Sequence, residues 1–151
     1  RETIESQIDN EITLSEARKS EMAVLFIDVD DFKHYNDQYS HATGDQVLKF
    51  VARTIKGAVN EFGFAGRYGG DEFIACVRNA EINDPTRVAQ DIISKLDEGF
   101  ECDGVHLTVS VSIGISMIKD DYNTRVEYII GKADDAMYSV KKNGKSNYAF
   151  I

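Results

Sequence analysis

Hydrophobic and polar residues alternate along this chain with two periods. Residues 1–20 are polar, with Ile4, Ile8, Ile12 and Leu14 at roughly helical spacing, which predicts an amphipathic helix. The run MAVLFIDVD (22–30) is continuously apolar and ends in acid, as a buried central strand does. A short helix is expected from Asp31 to Tyr39. A longer one is expected over TGDQVLKFVARTIKGAV, with Val47, Leu48, Val51, Ile55 and Val59 on one face. Residues 62–68 and 71–78 read as two strands joined through Gly69-Gly70, a two-residue hairpin signal. Pro85, the only proline, opens a helix that Asp84 caps and that runs to about Leu96.

The stretch HLTVSVSIGISMI then alternates strictly. Leu107, Val109, Val111, Ile113, Ile115 and Met117 share one face, with small polar residues or glycine on the other, so a half-buried strand is expected. Residues 124–142 form a further amphipathic helix that stops near Asn143-Gly144, and NYAFI is a candidate closing strand. Mixed helices, strands and a hairpin, without repeats or linkers, predict one α+β domain over 1–151. Its central sheet is expected to be mainly antiparallel and flanked by helices.

Composition narrows the function. At 151 residues and 42% hydrophobic, the chain can bury a sizeable core and has no disordered character. No apolar run approaches the roughly 20 residues of a membrane-spanning helix, so no membrane contact by this domain is expected. Asp and Glu total 26 against 17 Lys and Arg, a formal charge of −9. That surface repels a phosphate polymer, which argues against a nucleic-acid partner. A small phosphate ligand is compatible if metal ions or local cations offset the charge. Cys76 and Cys102 are far apart without C-x-x-C spacing, which suits a reducing, cytoplasmic setting.

The candidate chemistry lies at strand ends. Asp28 and Asp30 close the first central strand and lean one way, with Val29 leaning the other. Asp71 and Glu72 open the second strand of the hairpin. If the two strands are neighbours, one hairpin acid faces Asp28, a repulsion that a divalent cation relieves. Mg²⁺ takes one or two protein carboxylates and fills its remaining positions with water and phosphate, which suits nucleotidyl transfer. Spacing alone leaves a second reading open, that of solvated turn acids.

Other candidates fade. NGKSN lacks the first glycine of a Walker loop, which would stand at Ser139, and it ends a helix instead of opening one. Lys141, Lys142 and Lys145 read either as a phosphate cluster or as partners of the helix dipole. His34, His41 and His106 have no metal-ligand spacing.

The string RYGGDEF resembles the signature of the GGDEF-domain family, the diguanylate cyclases. FIDVDDFKHYNDQYSHATGDQVL is similar to the family's D-x-D-x-F-K-x-x-N-D-x-x-G-H-x-x-G-D block, LTVSVSIGIS to its T-x-S-I-G strand, and KADDAMYSVKKNGKSN to its last block. In order, they span about 22 to 147. The resemblance implies a palm-like fold and a reaction joining two GTP into cyclic di-GMP with release of pyrophosphate. It implies Mg²⁺ (or Mn²⁺) as cofactor, GTP as substrate and a second copy of the domain as partner. By the same resemblance Asp28 and the Val29 carbonyl are metal ligands. Asp71 is the second metal ligand and acid–base group, Glu72 is its neighbour of less defined role, and Lys33 lies near the phosphates. The backbone of Asp31 and Phe32 would lie by the phosphates too, Asn36 and Asp45 would read guanine, and His41 would line the pocket. Gly69 and Gly70 would leave room for ligand, and Lys141 and Lys145 would contact the distal phosphates.

Four departures carry consequences. Lys145 replaces the usual arginine, exchanging a bidentate fork for a point charge. Ser40 replaces a common glycine, with strain expected if that glycine has positive φ. Asn60 and Gly63 stand where the family's R-x-x-D product-inhibition site would be, so feedback through that site is not expected. The family's D-x-L-T-x-L-x-N-R lead-in is missing, with Arg1 its candidate last residue. The chain therefore reads as a fragment of a longer protein with a sensor or dimerising region upstream, and the cytoplasmic part of a membrane-attached sensor is one form this expectation takes. Asp45 is the residue expected for guanine over adenine. The alternative reading is a catalytically silent GTP-binding regulatory module; a palm-type polymerase is disfavoured by charge and size.

Overall fold

The computed structural model describes residues 2–150, and Arg1 with its lead-in reading lies outside them. In chain order the elements are α1 (Glu2–Arg18), β1 (Met22–Val29), α2 (Phe32–Gln38), α3 (His41–Val59), β2 (Gly63–Arg67), β3 (Glu72–Arg78), α4 (Pro85–Glu98), β4 (Phe100–Cys102), β5 (Val105–Leu107), β6 (Val111–Ile118), α5 (Val126–Lys142) and β7 (Tyr148–Phe150). The main sheet has the order β2-β3-β1-β6-β7. It is antiparallel except for β7, which runs parallel to β6 along one edge.

The alternation of β1 explains why this strand is central. Ala23, Leu25, Ile27 and Val29 face α3 and α4, where Val51, Ile55, Ala89 and Ile92 complete one core. Met22, Val24 and Phe26 face α1 and α5 against Ile8, Ile129 and Met137. Each fully buried side chain of this size contributes about 1.5–3 kcal/mol, so a strand buried on both faces anchors the sheet. Ile4, Ile8 and Ile12 of α1 are buried, whereas Leu14 is 37% exposed. Two residues past Ile12, Leu14 lies about 200° round the helix, off the packed face.

Three expectations about the strands are corrected. The single half-buried strand over 106–118 is two strands, β5 and β6, with β5 paired to the unforeseen β4. Residues 108–110 are instead tied outward: Thr108 O accepts from Tyr35 Oη, Val109 N–H donates to Leu96 O, and Ser110 O accepts from Asp30 N–H. β6 is buried on both faces, because its small side packs under α5. A Cβ on Gly114 would stand 1.9 Å from the Ala133 carbonyl oxygen and 2.3 Å from the Met137 nitrogen, so the helix rests directly on the strand there. Finally, the hairpin connection is four residues long (68–71), not two. Tyr68 and Gly69 N–H both turn to the Glu72 carbonyl, the Arg67 guanidinium binds the Gly69 and Gly70 carbonyls, and neither glycine has positive φ.

α3 starts at His41, two residues earlier than expected, because Ser40 caps it through Thr43 N–H. Ser40 itself is extended, at φ −172°, so the strain expected there is absent. Asp84 caps α4 as expected, through Thr86 N–H. Among the described residues no helix is long and apolar enough to cross a membrane.

Candidate functional site

Strand pairing brings the predicted acids together. In the β1–β3 ladder Asp28 stands opposite Glu72, and the Val29 N–H donates to the Asp71 carbonyl just beyond it (3.1 Å). The last turn of α5 lowers Lys141 onto this strand end, with Nζ 3.1 Å from Asp28 Oδ2 and 3.1 Å from Asp30 Oδ1. Asp28 and Asp30 thus point to one side, as alternation requires.

The two carboxylates differ in surroundings. Burial pushes Asp28 up to about 6; Lys141 opposes this by hydrogen bond and charge, while the nearby charges of Asp71 and Glu72 add to it. Its Oδ1 is buried with no hydrogen-bond partner among the described residues. Burial acts on Asp30 in the same direction, but hydrogen bonds from Ser110, Ser112, Lys141 and the Ser146 N–H outweigh it and hold Asp30 below the usual carboxylate range. Lys141, shared by both acids, is held above the usual lysine value despite its own burial.

The connection after β1 places the remaining predicted residues. Asp31 is left-handed (φ 51°) and precedes α2, whose first two residues are Phe32 and Lys33. Lys145 Nζ lies 2.9 and 3.0 Å from the two Asp31 carboxylate oxygens. Asn36 on α2 faces Gly44 on α3 so closely that a Cβ on Gly44 would stand 1.9 Å from Asn36 Oδ1. His41 and Asp45 are exposed on the first turns of α3. Asp45 borders a cleft of about 260 Å³ between α3 and the β2–β3 hairpin, whose walls include Leu48, Ala52, Arg67 and Phe73. Phe73 is the residue next to Glu72, so cleft and acids share one end of the sheet. Gly70 at the hairpin tip has open space where a side chain would be.

Lys141 and Lys145 therefore join the site, each engaged with acids, whereas Lys142 lies over the Tyr138 ring (4.9 Å) and takes no part. Sequence reasoning missed Ser110 and Ser112, the role of Asp30 and the Asn36–Gly44 contact. No spacing marks the two serines, of which Ser112 lies on β6 and Ser110 just before it.

The donor set fits a hard divalent cation in part. The orphaned, buried Asp28 oxygen beside two further acids is the environment such an ion satisfies. Among the described residues no three acidic, histidine or cysteine side chains gather into a ligand shell. Protein would therefore supply only part of the coordination, as in Mg²⁺ sites that water and phosphate complete.

A mainly antiparallel sheet with helices on both faces and carboxylates at its central strand ends defines a palm-like α+β domain. Residues 1–147 match the family described as "Diguanylate cyclase, GGDEF domain", and the chain belongs to that family. It is 38% identical over 136 residues to Diguanylate cyclase A of Treponema denticola, covering 89% of this chain and 36% of that protein. The GGDEF domain of YfiN (TpbB) from Pseudomonas aeruginosa superposes with TM-score 0.92 at 31% identity, covering 100% of this chain and 94% of the other. The active GGEEF domain of a diguanylate cyclase from Vibrio cholerae gives TM-score 0.88 at 26% identity, with coverage of 99% and 95%. The chain spans 36% or less of the length of the curated relatives it matches.

Proposed function

We propose that this domain is a diguanylate cyclase, condensing two GTP into cyclic di-GMP with release of two pyrophosphates. The observation that carries the reading is the opposition of Asp28 and Glu72 across the β1–β3 ladder, with an unsatisfied Asp28 oxygen beside them. Asp28, the Val29 carbonyl and Asp71 would hold Mg²⁺ or Mn²⁺, which supplies charge neutralisation and polarisation of the phosphate oxygens. Asn36 and Asp45 read the guanine edge, Asp45 accepting from N1–H and N2–H, and His41 lines the same pocket. The open backbone at Gly70 admits ligand against the hairpin, and the missing side chain at Gly69 leaves room for the Glu72 carboxylate, which a Cβ there would meet at 2.8 Å. The ribose 3′-hydroxyl of one GTP attacks the α-phosphorus of the other, and the bond to the bridging oxygen breaks as pyrophosphate leaves. Asp71 takes the hydroxyl proton, with Glu72 adding negative potential beside it. Lys33, the backbone at Asp31 and Phe32, and Lys141 and Lys145 meet the phosphates.

Each domain holds one GTP, so the partner is a second copy of the domain, working in the cytoplasm where GTP is found. Because Ser40 is an unstrained helix cap, Lys145 is the one remaining departure that would favour a silent GTP-binding module. The test incubates the domain, fused to a dimerising coiled coil, with GTP and Mg²⁺ beside an Asp71→Ala control, and reads products by mass spectrometry. Cyclic di-GMP that disappears in the control supports the cyclase. GTP binding without product refutes it in favour of the silent module.

A further inference from the structure

The proposed reaction gives no part to Asp30, yet this is the most heavily bonded carboxylate of the strand-end cluster. The residue is 4% exposed. It accepts from Ser110 Oγ, from Ser112 Oγ at 2.6 Å, from Lys141 Nζ at 3.1 Å and from the Ser146 N–H at 3.1 Å. A carboxylate buried without such partners would neutralise itself, so the four donors account for its tolerance in the core. Two of these bonds reach the cationic arm. One holds the Lys141 ammonium beside Asp28. The other holds the turn between α5 and β7, where Gly144, Lys145 and Ser146 have φ of 103°, 63° and 47°.

Three consecutive left-handed residues, two of them not glycine, persist only when their surroundings impose the conformation. Here Lys145 N–H donates to Val140 O, Ile113 N–H donates to Asn147 O, and the Ser146 N–H is fixed by Asp30. The direction in which Lys145 leaves the turn therefore depends on the Asp30 carboxylate, as does the place of Lys141.

We propose that Asp30 is a positioning residue for phosphate binding: it aims Lys141 directly, and Lys145 through the Ser146 turn, at one phosphate chain. The inference rests on the reading that these lysines contact phosphate. Asp30 acts through them and touches no substrate itself. Of its four donors only Lys141 is charged, so removing the carboxylate also frees that ammonium's potential toward phosphate. A net loss of phosphate affinity is therefore the mark of positioning, because freed charge alone acts the other way.

The test is a double-mutant cycle read as a ratio of affinities. Isothermal titration in Mg²⁺ measures GMP and the GTP analogue with a methylene between its α and β phosphorus atoms. The ratio of the two affinities isolates the terminal phosphates from the base. Asp30→Asn should lower that ratio about tenfold while GMP affinity stays within about twofold, since a hydrogen bond to a charged group is at stake. Lys141→Ala should lower it in the parent and have little further effect in the Asp30→Asn background. A ratio unchanged or raised by Asp30→Asn, or full additivity of the two changes, overturns the positioning role. If Lys141→Ala and Lys145→Ala both leave the parent ratio unchanged, the reading beneath it fails instead. Should Asp30→Asn not fold, Ser112→Ala removes one holder while keeping the charge. It should lower the ratio about threefold, and an unchanged ratio there overturns the proposal equally.

Discussion

Gly44→Ala separates recognition from stability. The new Cβ would stand 1.9 Å from Asn36 Oδ1, 3.0 Å from its Cγ and 3.2 Å from Phe32 Cζ. Non-bonded heavy atoms settle near 3.5–4.0 Å, so the amide must retreat by more than about 1 Å. The atom in the way ends a flexible side chain, so Asn36 rotates while the α2 and α3 backbones stay in place. An off-rotamer amide costs about 0.5–1.5 kcal/mol, and replacing glycine within a helix returns about 0.5–1 kcal/mol. The two nearly cancel, and urea denaturation should place the variant within about 1 kcal/mol of the parent. Binding should not cancel. Losing one polar contact to guanine costs about 1–2 kcal/mol, roughly 5- to 30-fold in GTP affinity. Asn36→Ala sets the ceiling, and combining the two changes should weaken GTP no further than Asn36→Ala alone. An affinity equal to the parent would show that Asn36 needs no bare backbone beneath it. A loss of more than about 2 kcal/mol of stability would make the contact structural.

Three further outcomes are expected. Gly114→Ala drives a Cβ into the backbone of α5, 1.9 Å from the Ala133 oxygen; neither side can rotate away, so a loss of about 3 kcal/mol or more is expected by chemical denaturation. The two ring nitrogens of His106 lie 2.8 Å from Glu101 Oε1 and 2.8 Å from Glu98 O, and only the imidazolium donates to both, so its pKa is raised, with Glu101 the larger cause. The stability this gives is complete below the unfolded-state pKa and lost as pH rises through the folded one; NMR titration should place the His106 midpoint above the ordinary histidine value and find it lower in Glu101→Gln. Cyclic di-GMP should not inhibit through the face at Asn60 and Gly63, where a Cβ on Gly63 would stand 2.0 Å from the Cys76 carbonyl; chemical-shift changes centred on those two residues at micromolar product would contradict this.

The fold was legible wherever one local pattern decided it. The unbroken apolar run of β1, the cap at Asp84 and the 3.6 period of α3 each act within a few residues, and each element formed; the cap at Ser40, equally local, went unread. The strand over 106–118 was misread because alternation reports which residues share a face, not whether the ladder continues. At Thr108–Ser110 the backbone bonds go to Tyr35, Leu96 and Asp30, all distant in sequence. The small face of β6 looked like a solvent face for a related reason. Ser112, Gly114 and Ser116 are small because a helix lies on them, and period-2 patterning cannot tell absence of bulk under a helix from exposure to water.

The site divides along the same line. Acids ending two apolar strands could be placed together from pairing logic, and the ladder puts Glu72, not Asp71, directly opposite Asp28. What holds those acids could not be placed. The partners of Asp30 come from 80, 82, 111 and 116 residues away, just before β6, on β6, on α5 and in the turn after it. None of the four has a spacing that marks it, because a serine, a lysine and a backbone N–H become ligands of one carboxylate only once β1, β6 and α5 are packed. The lysines show the consequence. At a helix C-terminus they read equally as dipole partners or as phosphate contacts. Packing makes them neither by default: Lys141 lies between two carboxylates and Lys145 against a third. A phosphate arriving here must compete with Asp28 and Asp31 for those cations, and with a point-charge lysine in place of a forked arginine that competition is closer. The strand-end acids and the cationic arm are therefore one electrostatic unit, and a substitution in either should be judged by its effect on both.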